Sequence, residues 1–368
     1  MPPLNPERLR MLRQFYELTQ TELADRIAVS QPMIAAYEAG DKQPQDDVAE
    51  ALAVVLRVRT PFLYQTDDDF FSEAEYNFRR GLSATERLKK KVIAQAGLFG
   101  IIVRSVRRHV PSLPKLDIPS FAAHSDEDVE IAAEHARIHW GLGTDVPIES
   151  MVRVLEGAGV LLTVADEETA TKVDAFSRYG NTSVVVLNTA KQSPSRSFFD
   201  TAHECAHGVL HYRQPAKALE EREREADRFA GAFLLPRRGF TRDFWSKGGL
   251  DWGNLFEIKR RWGASLAAIL VRAYQLNLID AVVYRRAFRT LSQRGWRTAE
   301  PEEPAAESPT LFTLALKQYE INTGGSTIGL AEETHFTPEL FAAVSGVSVD
   351  VSRAQGVMPI ASRFGTNN

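Results

Sequence analysis

Asp200-Thr201-Ala202-His203-Glu204-Cys205-Ala206-His207-Gly208-Val209-Leu210-His211 is the stretch on which the reading of this chain turns. It holds the pattern His-Glu-x-x-His. On a helix, residues four apart stand one above the other on the same face. His203 and His207 can therefore offer two imidazole nitrogens to one metal ion, and Glu204 can reach a water on that ion. A hydrolytic zinc site needs these parts: neutral nitrogen ligands, an open position for water and a carboxylate to take its proton. Phe198, Phe199, Ala202, Ala206, Val209 and Leu210 give the helix an apolar surface suited to burial.

Sixteen residues beyond His207 the chain reads Glu223-Arg224-Glu225-Ala226-Asp227-Arg228-Phe229-Ala230, then Phe233-Leu234-Leu235-Pro236. Glu223 and Asp227 share a helix face by the same four-residue rule. One can complete the protein ligands. The other can accept a hydrogen bond from a ligand imidazole and fix its tautomer. Glu225 is the rival third ligand, but Glu223 alone pairs with Asp227 at this spacing. Zinc (Zn2+) is the ion this donor set favours, with manganese and iron as the other ions it accepts.

The stretch from Arg196 to Pro236 resembles the ImmA/IrrE family of zinc metallopeptidases. Members read R-x-x-F-T-x-A-H-E-x-x-H and later E-x-E-A-[DN]-x-F-A-x-x-L-L-x-P. Here Arg196, Phe199, Ala202, His203, Glu204 and His207 match, followed by Glu223, Glu225, Ala226, Asp227, Phe229, Ala230, Leu234, Leu235 and Pro236. Asp200 stands where Thr is usual, and Ala206 where many members have Gly; neither change removes a ligand. Lys259, Arg261, Trp262, Ser265, Ala268 and Arg272 continue the family pattern, so the resemblance covers about 126 to 297. It implies a gluzincin-like domain with His203, His207 and Glu223 as ligands and Glu204 as general base. It also implies a narrow substrate, often a repressor with its own helix-turn-helix, cut to derepress stress or mobile-element genes.

The first 60 residues read as short amphipathic helices. Leu9, Leu12, Phe15 and Tyr16 follow a helical period. Thr19 and Glu22 form a capping-box pattern, Ser30 precedes a further helix with Pro32 in its first turn, and Gly40 is a stop signal. Thr19, Gln20, Leu23, Ala24, Val29, Ser30, Ile34, Tyr37, Glu38, Gly40 and Pro44 resemble the helix-turn-helix of the Xre/Cro family. The resemblance places the helix from Ser30 to Ala39 in the major groove, with Gln31 at a base edge and Gln20 and Ser30 among the DNA-binding residues, Gln20 at a phosphate. Yet residues 1 to 60 hold seven Lys/Arg against nine Asp/Glu, a poor balance for a polyanion. Recognition of protein is the alternative for this module.

The charge reverses downstream. Residues 79 to 115 carry Arg79, Arg80, Arg87, Lys89, Lys90, Lys91, Arg104, Arg107, Arg108 and Lys115, with Glu86 the only acid. Ser83 to Glu86 is another capping-box pattern, and a helix over about 84 to 109 follows, with Leu88, Val92, Leu98, Phe99, Ile102 and Val106 as its apolar stripe. Its basic face can supply phosphate contacts, or stand simply solvated; its stripe can pair two chains into a homodimer.

Further on, a helix runs from Asp126 to Gly141, a second covers Met151 to Leu155, and β-runs are expected over Val160–Val164, Val173–Arg178 and Thr182–Leu187. Beyond Pro236 the chain returns to helix. Arg272, Tyr274, His211, Tyr212 and Tyr179 are candidates to stabilise a transition-state oxyanion. Residues 298–309, rich in Glu and Pro, read as a linker. Leu330-Ala331 to Gly346 then echoes Leu23-Ala24 to Gly40.

The expected fold is α+β. A helix-turn-helix over 1–60 and a basic helical linker over 61–118 lead to a mainly helical metallopeptidase domain with a small sheet over 119–297. An acidic linker over 298–309 and a small helical module over 310–368 complete the chain. The composition, 44% hydrophobic and 25% charged, is that of a globular protein. No run approaches a membrane span, and Cys205 is the single cysteine, which excludes internal disulfides and points to the cytoplasm. The leading expectation is a regulatory zinc metalloendopeptidase that cleaves a repressor or itself. The alternatives are a transcriptional regulator whose metal domain only senses, and an antitoxin-like protein-binding module.

Overall fold

The computed structural model describes residues 2–66, 86–165, 175–180, 182–188, 193–246 and 251–349. Its fold is α+β: among these residues there are sixteen α-helices and one three-stranded sheet. They divide into two compact units, one drawn from 1–68, 101–111 and 313–368, the other from 69–100 and 112–312.

The first unit begins with α1 (Pro6–Phe15), α2 (Gln20–Arg26), α3 (Gln31–Ala39) and α4 (Asp46–Val55), closed by a 3-10 turn at Thr60–Tyr64. Local chemistry sets each end. The Asn5 side chain accepts from the N–H groups of Glu7 and Arg8, and Thr19 and Glu22 form a complete capping box at α2. Gly40, at φ +80°, ends α3 in the left-handed conformation that L side chains resist. Leu9, Leu12, Leu23, Ile34, Leu52 and Leu56 fill the centre.

The second unit takes in the start of α5 (Glu86–His109), then α6 (Asp126–His139) and α7 (Met151–Gly157). The strands are β1 (Leu161–Val164), β2 (Phe176–Arg178) and β3 (Val184–Leu187). β1 runs parallel to β3 with Leu161 opposite Val184, and β2 runs antiparallel to β3 with Ser177 opposite Val185. β3 is therefore central and buried throughout, with β1 and β2 on either side. The strands are shorter than their apolar runs. Of the expected span 173–178, Val173 and Asp174 lie outside the described residues, as does Asn181.

After the sheet come α8 (Pro194–Ala206), continued by a π-helical turn at His207–His211, and α9 (Leu219–Leu234). α10 (Arg237–Ser246), α11 (Trp252–Trp262), α12 (Leu266–Gln275) and α13 (Ala281–Gln293) follow. α9 packs against both α6 and α8. Ala202, Ala206, Ala226 and Ala230 are fully buried there, and such small side chains let helices approach closely. Arg272 locks the layer from behind: its guanidinium donates to Glu130 at 2.6 and 2.8 Å and to the Leu235 carbonyl at 2.8 Å.

Residues 298–309 have the composition of a linker but are pinned to this unit. Glu300 and Glu303 accept from the buried Lys259 at 2.7 and 2.8 Å. Glu303 also accepts from the Ser195 N–H at 2.8 Å and its hydroxyl at 3.0 Å, capping the start of α8 from a distant point in the chain. The Thr310 and Leu311 N–H groups both reach Glu156 at 2.6 Å.

On α5, Leu88, Val92, Leu98, Phe99, Ile102 and Val106 are buried by the chain's own side chains. The stripe is thus not an open face for pairing two chains. Its expected cap at Ser83 to Thr85, and Arg79 and Arg80, lie outside the described residues.

The last helices among the described residues are α14 (Leu311–Thr323), α15 (Thr327–Glu333) and α16 (Pro338–Ser345). Within the first unit, α15 and α16 repeat the turn between α2 and α3. Ala28 and His335 are left-handed at φ 56° and 60°. Val29 donates to Ala24 O at 3.0 Å as Phe336 donates to Ala331 O at 2.9 Å. This second hairpin docks on residues 57–62: Arg59 N–H donates to His335 O at 2.8 Å, and Phe62 packs on Phe336. Glu333 accepts from Ser105, Arg108 and His109, so part of the basic end of α5 is already paired.

Removing one partner of a buried ion pair leaves the other charge uncompensated. Arg272→Met is expected to destabilise the second unit by about 3 kcal/mol, and Arg272→Met with Glu130→Leu to recover most of it. Urea unfolding checks this; a single variant with wild-type stability would show that the pair contributes nothing.

Candidate metal centre and nucleic-acid interface

α8 buries Phe198, Ala202, Cys205 and Ala206, and this orientation carries His203 and His207 inward with them. His203 is 1% and His207 0% exposed. Their Nε2 atoms lie 3.2 Å apart. From the facing helix, Glu223 brings Oε2 to 3.4 Å from His203 Nε2 and Oε1 to 3.4 Å from His207 Nε2. Ligands at about 2.0–2.1 Å from a tetrahedral zinc stand about 3.3 Å from one another. The three separations match the edges of that tetrahedron. The donor set is two nitrogens and a carboxylate, and His203, Glu204 and His207 also offer donor atoms all within 4.8 Å of one another. Buried in this cluster, Oε1 and Oε2 of Glu223 and Oε2 of Glu204 have no hydrogen-bond donor. Buried acceptors left unpaired are costly, and a cation among them would satisfy them. The residues fit a metal ion.

A second layer orients the rings. His203 Nδ1 meets Asp227 Oδ1 at 2.9 Å, which makes Nδ1 the donor and turns Nε2 toward Glu223. His207 Nδ1 meets His211 Nδ1 at 2.9 Å, His211 Nε2 meets Glu225 Oε2 at 3.1 Å, and Glu225 Oε1 accepts from Lys217 at 2.5 Å. The tautomers follow in order. If His207 keeps Nε2 free, its Nδ1–H donates to His211, whose Nε2–H then donates to Glu225. Glu225, the rival third ligand, is thus engaged two residues away from the cluster. This line of three side chains escapes a reading for ligands, though its signal was present: His211 stands four residues after His207.

Electrostatics differ sharply across the cluster. Burial lowers His203, but the Asp227 and Glu223 carboxylates outweigh it and hold the ring at about 9. His207, fully enclosed, is pushed by burial down to about 3. Burial raises Glu223, yet the two imidazoles bring it down to about 2. Glu204 is raised by burial to about 8, against the pull of His203. A carboxyl group shifted toward neutrality is matched to exchanging a proton with a reacting group.

The remaining oxyanion candidates have other contacts. Tyr179, just past β2, donates to the Glu204 carbonyl at 2.9 Å. Its ring lies where a side chain at residue 208 would stand, since a Cβ on Gly208 would meet it at 2.6 Å. Arg272 is held by Glu130, Tyr274 packs against Tyr284, and His211 serves His207. Tyr212 is half-buried with its ring 6.1 Å from that of Tyr179.

In the helix-turn-helix, Arg13 grips Glu38 at 2.5 and 2.7 Å, Gln20 Nε2 donates to Glu38 at 2.9 Å, and Gln31 Nε2 donates to Gln20 Oε1 at 2.8 Å. A buried ion pair thus anchors the first side chain of α3. Gln20, expected at a phosphate, has its carbonyl and one amide hydrogen engaged in this network. Ser30 is exposed and its hydroxyl makes no capping bond.

Removing an orienting partner of a metal-bound imidazole typically costs 10–100-fold in affinity. Asp227→Ala and His211→Ala are each expected to weaken zinc binding by about that factor, read by competition with a chromogenic chelator. Unchanged affinity in both would remove their positioning role.

No curated protein matches the chain significantly. Two families do. Residues 9–63 match the helix-turn-helix family, which spans α1 to the 3-10 turn. Residues 157–274 match the IrrE N-terminal-like domain of the M78 peptidases, which spans the sheet, the histidine cluster and α12. The polypeptide therefore joins an Xre-type helix-turn-helix to an ImmA/IrrE-type peptidase-family domain.

Proposed function

We propose that this protein is a cytoplasmic regulatory zinc metalloendopeptidase coupled to DNA through its helix-turn-helix. Its substrate would be a specific transcriptional repressor or the protein itself, in a stress or mobile-element response. The observation that carries the reading is the convergence of His203, His207 and Glu223 at 3.2–3.4 Å beside a buried Glu204. In this reading those three residues hold the zinc. When bound, zinc supplies Lewis-acid polarisation of the scissile carbonyl and lowers the pKa of water. Glu204 takes the proton of the attacking water and delivers it to the leaving amine. Asp227 and His211 keep the two rings aligned. β2, an outer strand among the described residues, offers its edge to extended substrate backbone.

On DNA, Gln31 reads a base edge at the start of α3, held by its hydrogen bond to Gln20, with Gln20 at a phosphate and Ser30 among the DNA-binding residues. The basic face of α5 adds phosphate contacts.

A second reading has one observation in its favour. Glu204 is 1% exposed, so the cluster is enclosed as it stands. A metal-sensing transcriptional regulator keeps the same ligands without cutting a peptide bond.

One variant separates the two. Glu204→Gln is expected to retain zinc and to abolish cleavage of any partner, or of the chain itself, that the metal-loaded wild type cuts in an intact-mass assay. Cutting at the wild-type rate by the variant would end the base assignment; no cutting by either would favour the sensor. Operator titration across salt tests the other half, because phosphate contacts make affinity fall steeply with salt. Gln31→Ala is expected to cost about 1–3 kcal/mol on the preferred sequence alone. Binding without a salt slope would support protein recognition instead.

A further inference from the structure

The face of α13 that looks away from the core of the second unit is cationic and lacks counter-charge. Residues 281–299 hold five Arg, no Lys and no Asp or Glu. Ala287 and Leu291, four apart, are buried and fix which side of the helix turns inward. Arg285 and Arg289, also four apart, fall on the opposite side with Arg286 next to them, and all three are exposed. Arg294 and Arg297 follow the helix and are exposed as well.

None of the five arginines forms an ion pair among the described residues. The acids nearest in the chain are engaged elsewhere. Asp280 caps α13, accepting from the N–H groups of Val282 and Val283 at 2.8 Å. Glu300 accepts from Lys259 and the Leu266 N–H, and Glu302 pairs with Arg260. α12, which packs against α13, has Arg272 as its one charged residue, and Glu130 holds that.

Like charges one turn apart on a helix repel and lower its stability, and a solvated face ordinarily mixes both signs. α13 keeps the repulsion, and keeps it entirely as arginine, whose planar fork pairs bidentately with phosphate and carboxylate groups. Two observations narrow the partner. Arg285 and Arg289 stand about 6 Å apart along the axis, so the row calls for anions at close, regular spacing. Duplex DNA carries one phosphate per about 3.4 Å of each strand. Stacking of unpaired bases needs open ring faces, but the rings beside the arginines pack on one another. Tyr284 lies 4.8 Å from Tyr274 and 4.6 Å from Phe288, and Trp296 contacts Trp252 and Phe256 with the Arg294 guanidinium 4.6 Å above it. We propose that the arginine face of α13 is a sequence-independent binding surface for the phosphate backbone of duplex DNA. It does not depend on base reading by the helix-turn-helix. The unit that carries the histidine cluster thereby has its own hold on DNA.

The test is fluorescence anisotropy on the full-length protein, with a short labelled duplex of arbitrary sequence titrated across salt. Changing Arg285, Arg286 and Arg289 together to Gln is expected to weaken binding about tenfold or more at low salt. The same variant should flatten the plot of log affinity against log salt by about 2 to 3, at about 0.9 per phosphate contact. Lys at the three positions keeps the charge and should keep the wild-type slope. Gln31→Ala should leave affinity and slope on this duplex unchanged, which separates the surface from base reading. Arg294→Gln with Arg297→Gln lies beyond the helix and carries the test should the triple variant unfold; its slope is expected to be lower by about 2. Wild-type affinity and slope in both glutamine variants would overturn the assignment. So would displacement of the duplex by polyglutamate, or by a single strand, at a lower concentration of charge than unlabelled duplex requires; polyglutamate would then point to an acidic peptide as the partner.

Discussion

Two helices press their small side chains together and thereby force polar groups into an apolar interior. Ala202, Ala206, Ala226 and Ala230 set the closeness of α8 and α9, and the same faces carry His203, His207 and Glu223. Interiors tolerate such groups only when each has a partner. Much of the second unit answers that demand. Asp227 and the His211–Glu225–Lys217 line occupy the outward nitrogens of both rings, leaving the inward nitrogens and the Glu223 oxygens facing one point. What would otherwise be several unsatisfied acceptors becomes a single, coherent demand for a cation.

The first unit meets a different demand. Its sequence is acidic on balance, yet the side chain that leads α3 is fixed by a buried ion pair running Arg13 to Glu38 to Gln20 to Gln31. The C-terminal hairpin repeats the same backbone turn but presents Glu332, Glu333 and Glu339 around it. Its apolar side chains, Leu340, Phe341 and Val344, are spent on packing within the unit. Geometry is shared between the two hairpins; surface chemistry is not.

Legibility in the sequence follows distance along the chain. The capping box at Thr19 and Glu22, the left-handed Gly40 and the helix bearing His203 and His207 rest on residues within four or five of one another, and such patterns are visible in one dimension. The pairing of Glu223 with Asp227 follows the same rule and sets Glu223 apart from Glu225. Contacts between remote segments left no comparable trace. Arg272 looked like a candidate for chemistry because it is an arginine in a familiar motif; its partner Glu130 is 142 residues away. The stripe on α5 was readable as apolar, but not what would cover it. The stretch 298–309 has a linker's composition, and only the fold brings Glu303 to Ser195, 108 positions earlier.

That last contact joins chain continuity to the histidine cluster. The first turn of α8 has no side-chain cap of its own at Ser193, and the carboxylate that serves it belongs to a segment tethered by Lys259 on one side and Glu156 on the other. Without Glu303 the Ser195 N–H would lose that acceptor, and the leading turn of α8 would fray toward His203. The start of the histidine-bearing helix is thus secured by a residue 108 positions further along the chain.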